Sequence, residues 1–387
     1  MKNSISLIIT VFGLTTYFPA HSNDLDKVSD DIAVKATMRS LAQTLEEFMP
    51  LIFNEYEFNK KENESKIISS IETIDLLFKK AEAHFIEKPV TYQISSQVLE
   101  QQIEEARQSF IKNQKSYSRS KLLGMTAVCS SCHIQDKKNK HIFNQVDRKY
   151  FEDDYTYAEF LFLTRDYQQA SQYYEKFLEN LNAQSNEEKV YIAFERLIVI
   201  YAQLFKNPQR AYNKLNVWHQ QAPLSEFVKH DLGQWLKGLK EYNEESGTVN
   251  GQINFEQLDN YMSKHINIAE SQTVPLISNE KEKIFYMMLR SSLHDYLLNN
   301  PTSSKTPSVL YWLAICDRTL NSHNDFSFAD WYLKSCIVDF PESKVAPKCY
   351  QAYEDHLKFM YKLNNTEDFP IEVRKELHYL KKNIDKN

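Results

Sequence analysis

Apolar residues recur at intervals of three and four along most of the 387-residue chain, the period of an amphipathic helix rather than a strand. Four such stretches are predicted between residues 28 and 138. In the first, Ile32, Met38, Leu41, Ala42, Leu45, Phe48, Met49 and Ile52 share helical spacing. Ser29, Asp30 and Asp31 stand where a cap and first-turn acids belong, and Pro50 is expected to kink or end the helix. The second stretch, about Glu64 to Phe85, carries Ile67, Ile71, Ile74, Phe78, Ala81 and Phe85 on one stripe. The third follows Ser95 and Ser96 with Leu99, Ile103, Ala106 and Phe110, and the fourth starts near Ser116 with Leu123 and Ala127. Four helices with short links predict an antiparallel bundle. No alternating run marks a strand, so the fold class is all-α.

Beyond about residue 145 the pattern changes. A small residue is followed by larger apolar ones at +4 and +7 in Ala170/Tyr174/Phe177, Ala211/Leu215/Trp218 and Ala329/Leu333/Cys336. The last two place Pro223 and Pro341 at +12, where the first has Asn182. Ala158–Phe162, Ala193–Tyr201 and Leu310–Ala314 fit as preceding helices, with a tight turn at Asp166-Tyr167. The spacing resembles the second helix of a tetratricopeptide repeat, where the small residue lets paired helices approach and Pro ends the helix. Asp339-Phe340-Pro341-Glu342-Ser343, followed by Ala346, resembles a junction between successive repeats. Ala211 follows Ala170 by 41 residues, longer than the ideal repeat, so the loops are extended or the repeats degenerate; the competing reading is a generic all-helical domain. Residues 243–280 interrupt the pattern with a polar stretch that encloses one short helix near Phe255–His265, and a second helical block begins near Glu280.

Composition adds aromatic packing, with 23 Tyr and 23 Phe against 6 Gly. There is no Gly-rich loop to cradle phosphate. The net charge of -6 argues against nucleic acid as a partner. Lys2, the apolar run Ile5–Leu14 and Ala20-His21-Ser22 read as a signal peptide, with cleavage expected between Ser22 and Asn23. The apolar run is too short to span a bilayer, no Cys follows it to take a lipid, and no other stretch reaches membrane-spanning length. An exported, soluble, periplasmic protein is expected.

Cys129-Ser130-Ser131-Cys132-His133 carries the chemistry. It is a complete C-x-x-C-H, the attachment signature of c-type haem. With five Cys and eleven His in 387 residues the pattern is expected by chance about 0.002 times per chain, so it is read as a site. On a helix the three residues fall at i, i+3 and i+4, on one face. Two thiols there add to the haem vinyl groups while the imidazole takes one axial position on iron. The competing readings are a plain disulfide or half of a zinc site. A thioredoxin-like motif needs a βαβ setting and zinc a second ligand pair, and neither is seen. Cys316, Cys336 and Cys349 lie in the last block, where an oxidising compartment permits a bond; which of them pair, if any, is open.

Four helices with C-x-x-C-H near the end of the last resemble the cytochrome c′ and cytochrome c-556 family, in which a basic residue follows the His by four positions; here that is Lys137. The resemblance covers about residues 28–138. It implies one covalently attached haem c on Cys129 and Cys132, with His133 as proximal ligand. Low-spin members use a Met from the first helix as sixth ligand, and Met38 stands in that place. Met49 and Met125 are alternative sulfur donors, His84 and His141 alternative nitrogen donors, and core packing is the other reading of Met38.

The expected layout is a signal peptide over 1–22, a haem-binding bundle over 23–144, helical repeats over 145–245, a linker with a short helix over 246–279 and further repeats over 280–387. The expected function is electron transfer through a His/Met-ligated haem, with the repeats docking a periplasmic redox or assembly protein. The alternatives are a five-coordinate haem that binds or senses a gas such as nitric oxide or carbon monoxide, and a repeat scaffold with a structural haem. An enzyme is not indicated, since one haem motif excludes a two-haem relay and no Ser-His-Asp or paired-carboxylate set stands out. Family bundles dimerise through their first two helices, which makes a homodimer a candidate.

Overall fold

The computed structural model describes residues 22–82, 90–135, 146–182, 184–245, 254–266, 280–320, 328–363 and 365–385, with the backbone alone at 22–33, 82, 127, 129–135 and 245. The signal-peptide reading therefore lies almost wholly outside the described residues, as do His84, Lys137 and His141. Helices and turns account for the described chain, and no strand occurs among the described residues. None of its described helices is long and apolar enough to cross a membrane.

Four long helices form the first unit: α1 (Ser22–Phe53), α3 (Glu64–Glu82), α4 (Val90–Ile111) and α5 (Lys115–Gln135), with a short α2 (Glu55–Asn59) between the first two. α1 packs on α3, α3 on α4, α4 on α5 and α5 on α1, closing a ring around one core. Leu45, Phe48, Ile52, Ile67, Ile71, Phe78, Ile94, Ile103, Leu122 and Met125 fill it, each removed from water at about 25 cal/mol per Å² of apolar surface. Pro50 sits in the last turn of α1 and the helix runs on to Phe53 before Asn54 caps α2 by accepting the Glu57 N–H.

Two expected helix starts are corrected. Ser29, Asp30 and Asp31 do not cap α1, which already begins at Ser22. Ser95 and Ser96 do not open the third helix, which starts at Val90. Both are buried inside it, and Ser95 Oγ satisfies itself by donating to the Thr91 carbonyl at 2.8 Å. A serine that bonds back one turn is compatible with a helix interior, so the residue type alone misplaces the boundary.

The chain then forms helix pairs: α6 (Asp154–Leu163) with α7 (Tyr167–Glu179), α8 (Glu187–Ile198) with α9 (Pro208–Gln221), and, nearer the C-terminus, α13 (Thr306–Leu320) with α14 (Ala329–Val338). Asp153, Asp166, Asn186 and Asn207 each accept a backbone N–H of the first turn they cap, worth about 1 kcal/mol apiece. Ala170, Ala211 and Ala329 are fully buried, as expected of positions that let helices approach. α8 widens at its end into a π-helical turn, Val199–Leu204.

α10 (Glu226–Glu245), α11 (Phe255–His265) and α12 (Glu280–Asn299) span the polar interruption. α10 packs directly on α12. Gly238 permits this, because a Cβ there would stand 2.6 Å from the Lys281 carbonyl oxygen. α15 (Ala346–Tyr361) and α16 (Ile371–Asp385) finish the chain. Phe151 joins the two parts: its ring centroid lies 6.2 Å from Phe53 of α1 and 5.0 Å from Phe160 of α6. α12 also touches α5 and α14 touches α4, so the later helices curl back onto the bundle and share its core.

Candidate functional site

C-x-x-C-H lies in the last two turns of α5, whose backbone is helical without a break from Lys115 to Gln135. At 100° per residue, positions 129, 132 and 133 fall within about 100° of arc and about 6 Å of rise. Ser118, Leu122 and Met125 form the buried stripe of α5, and positions 129 and 132 continue its three-four spacing. The side chains of Cys129, Cys132 and His133 lie outside the described residues. The donor set nonetheless fits the group that the motif implies: two thiols and one imidazole, at positions that share one face of a helix.

The bundle's up-and-down order puts the first half of α1, the end of α3, the start of α4 and the end of α5 at one end. Leu41 and Ala42, Phe78 and Ala81, Ile94, and Val128 line that end and are all buried, an apolar setting suited to a porphyrin.

Two side-chain bonds fix the register. Arg119 of α5 donates from Nε to the Ile52 carbonyl of α1 at 2.7 Å. Moving 14 residues along α5 reaches His133, and moving 14 residues back along antiparallel α1 reaches Met38, about 21 Å in each case. Met38 and position 133 therefore fall within about one helical turn of the same level of the bundle. Ser118 Oγ donates to the Ala106 carbonyl of α4 at 2.8 Å, which brings Ser95 level with position 129 and Thr91 level with position 133.

Met38 is half-buried, packs on the core and continues the Leu41/Leu45 stripe of α1 one turn outward. Met49 is buried but lies level with Leu122, about 16 Å below His133. Met125 is buried on α5 itself, two turns before the motif. Among the three candidate sulfurs, Met38 alone matches the level of His133.

Cys336 and Cys349 form a disulfide between α14 and α15, and Cys316 is a buried free thiol. Among the described residues no group of three or more His, Cys, Asp or Glu could hold a metal ion.

Linear reading missed a polar cluster where α8, α10 and α12 meet. Glu280 accepts from Trp235 Nε1 at 2.8 Å and from Tyr191 Oη at 2.9 Å, and Lys283 Nζ lies 2.7 Å from Glu280 and 2.8 Å from Tyr191 Oη. Close by, burial pushes the Glu195 carboxyl up to about 7, against the pull of Lys283 and Arg196. Burial, helped by Arg290, pushes the His294 imidazole down to about 3, and His294 Nδ1 has no hydrogen-bond partner among the described residues. Nearly ninety residues separate Tyr191 from Glu280, and no local motif marks either one.

No family model matches the chain, and neither a curated protein nor a solved structure matches it.

Proposed function

We propose that this chain is an exported, periplasmic monohaem c-type cytochrome that transfers electrons and docks a protein partner on its helix pairs. The observation that carries the reading is the complete C-x-x-C-H on one face of an unbroken helix. In this reading Cys129 and Cys132 would hold a single haem c through thioether bonds, and the His133 imidazole and the Met38 sulfur would be the chain's ligands to its iron. When bound, the haem supplies a one-electron iron couple. A Met38 thioether on the iron would raise the potential of that couple. The apolar bundle end excludes water, which holds the couple away from solvent and favours the less charged ferrous state. The shared level of Met38 and His133 supports the ligand pair, and the Cys336–Cys349 disulfide supports an oxidising compartment. The paired helices past residue 153 support the resemblance to tetratricopeptide repeats, whose stacked faces bind partners.

The test is the absorption spectrum of protein matured with c-type haem, ferric and ferrous, with and without carbon monoxide, beside Met38→Ala. A low-spin spectrum whose sulfur-to-iron band disappears in Met38→Ala supports the carrier. A high-spin spectrum that carbon monoxide shifts readily, unchanged by the substitution, transfers the reading to a gas-binding protein. Absence of covalent haem in the wild type sinks both.

A further inference from the structure

A groove of about 940 Å³ runs along α9 and is closed at one side by the end of α7 at Leu178 and Glu179. This is the upper end of the size range of ligand sites. Its wall is a row of exposed side chains four residues apart, Gln209, Asn213, Val217 and Gln221, and its floor is Trp218, 8% exposed.

The row has a definite period. Four residues of helix rise about 6 Å, close to the ~6.6 Å that two residues of an extended chain cover. Amides on such a row meet every second peptide unit of a strand laid along α9. Gln209 Nε2 donates to Asn213 Oδ1 at 2.9 Å. That bond uses one donor and one acceptor, and among the described residues it leaves Gln209 Oε1 to accept and Asn213 Nδ2 to donate, the two functions that one peptide unit requires. From Gln209 to Gln221 the row is about 18 Å long, room for about five extended residues.

Arg210 selects the charge. Its guanidinium lies 4.4 Å from the centre of the Tyr201 ring and takes no salt bridge among the described residues. Tyr201 is itself anchored by its hydroxyl to Glu175, which also pairs with Lys214 at 3.0 Å. A cation pre-positioned on an aromatic face binds carboxylates in a fixed geometry. Trp218 is 8% exposed and packs against Phe194 with ring centroids 6.0 Å apart, which leaves little ring surface for a sugar to stack on.

We propose that the α9 groove binds an extended segment of a partner protein, about five residues long, with an acidic side chain seated on Arg210. This deepens the docking half of the proposed function and rests on it, but not on the haem. The test selects a phage-displayed random heptapeptide library on the full-length chain, then measures the recovered peptides by fluorescence anisotropy. Acidic sequences should be enriched. Asn213→Ala with Gln221→Ala should weaken them at least tenfold, and Arg210→Gln should abolish the preference for acid, while the melting temperature stays that of the wild type. No enrichment over an uncoated surface overturns the inference. So does enrichment of peptides whose binding ignores these substitutions, or binding of oligosaccharides that the same substitutions remove. Haem content read on the same sample separates the two ideas: groove-dependent binding by protein without covalent haem sinks the cytochrome reading and leaves this one standing.

Discussion

Cys336 and Cys349 are joined across the interface of α14 and α15, with Cα atoms 6.3 Å apart and a separation of 13 positions in sequence. Both are fully buried. A loop of that size, closed in the unfolded chain, stabilises the fold by about 3 kcal/mol. Replacing both residues by Ala should lower the unfolding free energy by that amount and move the urea midpoint down in proportion. An unchanged midpoint shows that the bond does not form.

Gly238 marks the closest approach of α10 and α12. An added Cβ meets the Lys281 carbonyl oxygen at 2.6 Å and Ile284 Cγ1 at 2.9 Å, and the first of these is backbone that cannot swing away. Gly238→Ala therefore should cost about 1–3 kcal/mol by overpacking, although alanine favours an isolated helix. A variant more stable than wild type in thermal melts shows that propensity outweighs contact here.

Phe151→Ala should cost about 3–5 kcal/mol, the usual range for an emptied aromatic site. Its ring touches both Phe53 and Phe160, so bundle and array should lose stability together. All four tryptophans, at 218, 235, 312 and 331, lie outside the bundle. Their fluorescence should thus follow the array, and far-ultraviolet dichroism the whole chain. Coincident transitions in wild type and variant support a shared core; separated ones refute it.

Two buried groups should tilt stability with pH in opposite directions. Glu195 is raised from 4.5 to about 7. Its contribution is fully present below pH 4.5 and is lost as pH rises to about 7, because the buried group must ionise. His294 is lowered from 6.5 to about 3. Its contribution is present above pH 6.5 and is lost as pH falls toward 3. Between pH 4.5 and 6.5 the two oppose each other. Glu195→Gln should therefore make stability rise more steeply with pH in that window, and His294→Gln should make it rise less. Chemical denaturation at several pH values measures both slopes, and parallel curves for wild type and variants overturn the assignment.

Helices that bury one stripe announced themselves. Ile67, Ile71, Ile74 and Phe78 outline α3, and α11 and α12 begin where the polar stretch gives way to periodic apolar positions. α4 was blurred because its inner face carries Thr91, Ser95 and Gln102, polar residues whose burial is a tertiary fact. The close pass at Gly238 and the Glu280–Lys283–Tyr191 cluster also arise from folding alone, as they join residues tens of positions apart. The C-x-x-C-H was legible because all its members share one turn. That Met38 is level with His133 needed the Arg119–Ile52 bond, which no linear pattern contains.

The curl of α12 and α14 onto α5 and α4 closes the molecule into a loop in which the bundle is one link. An open stack of helix pairs is a spring, because each pair pivots on the next. In a closed loop a pivot at one joint must be matched by another elsewhere, so bending at a single joint is resisted. The tip of α5 and the face of α9 then belong to one frame, and bending that separates them must strain a second set of contacts.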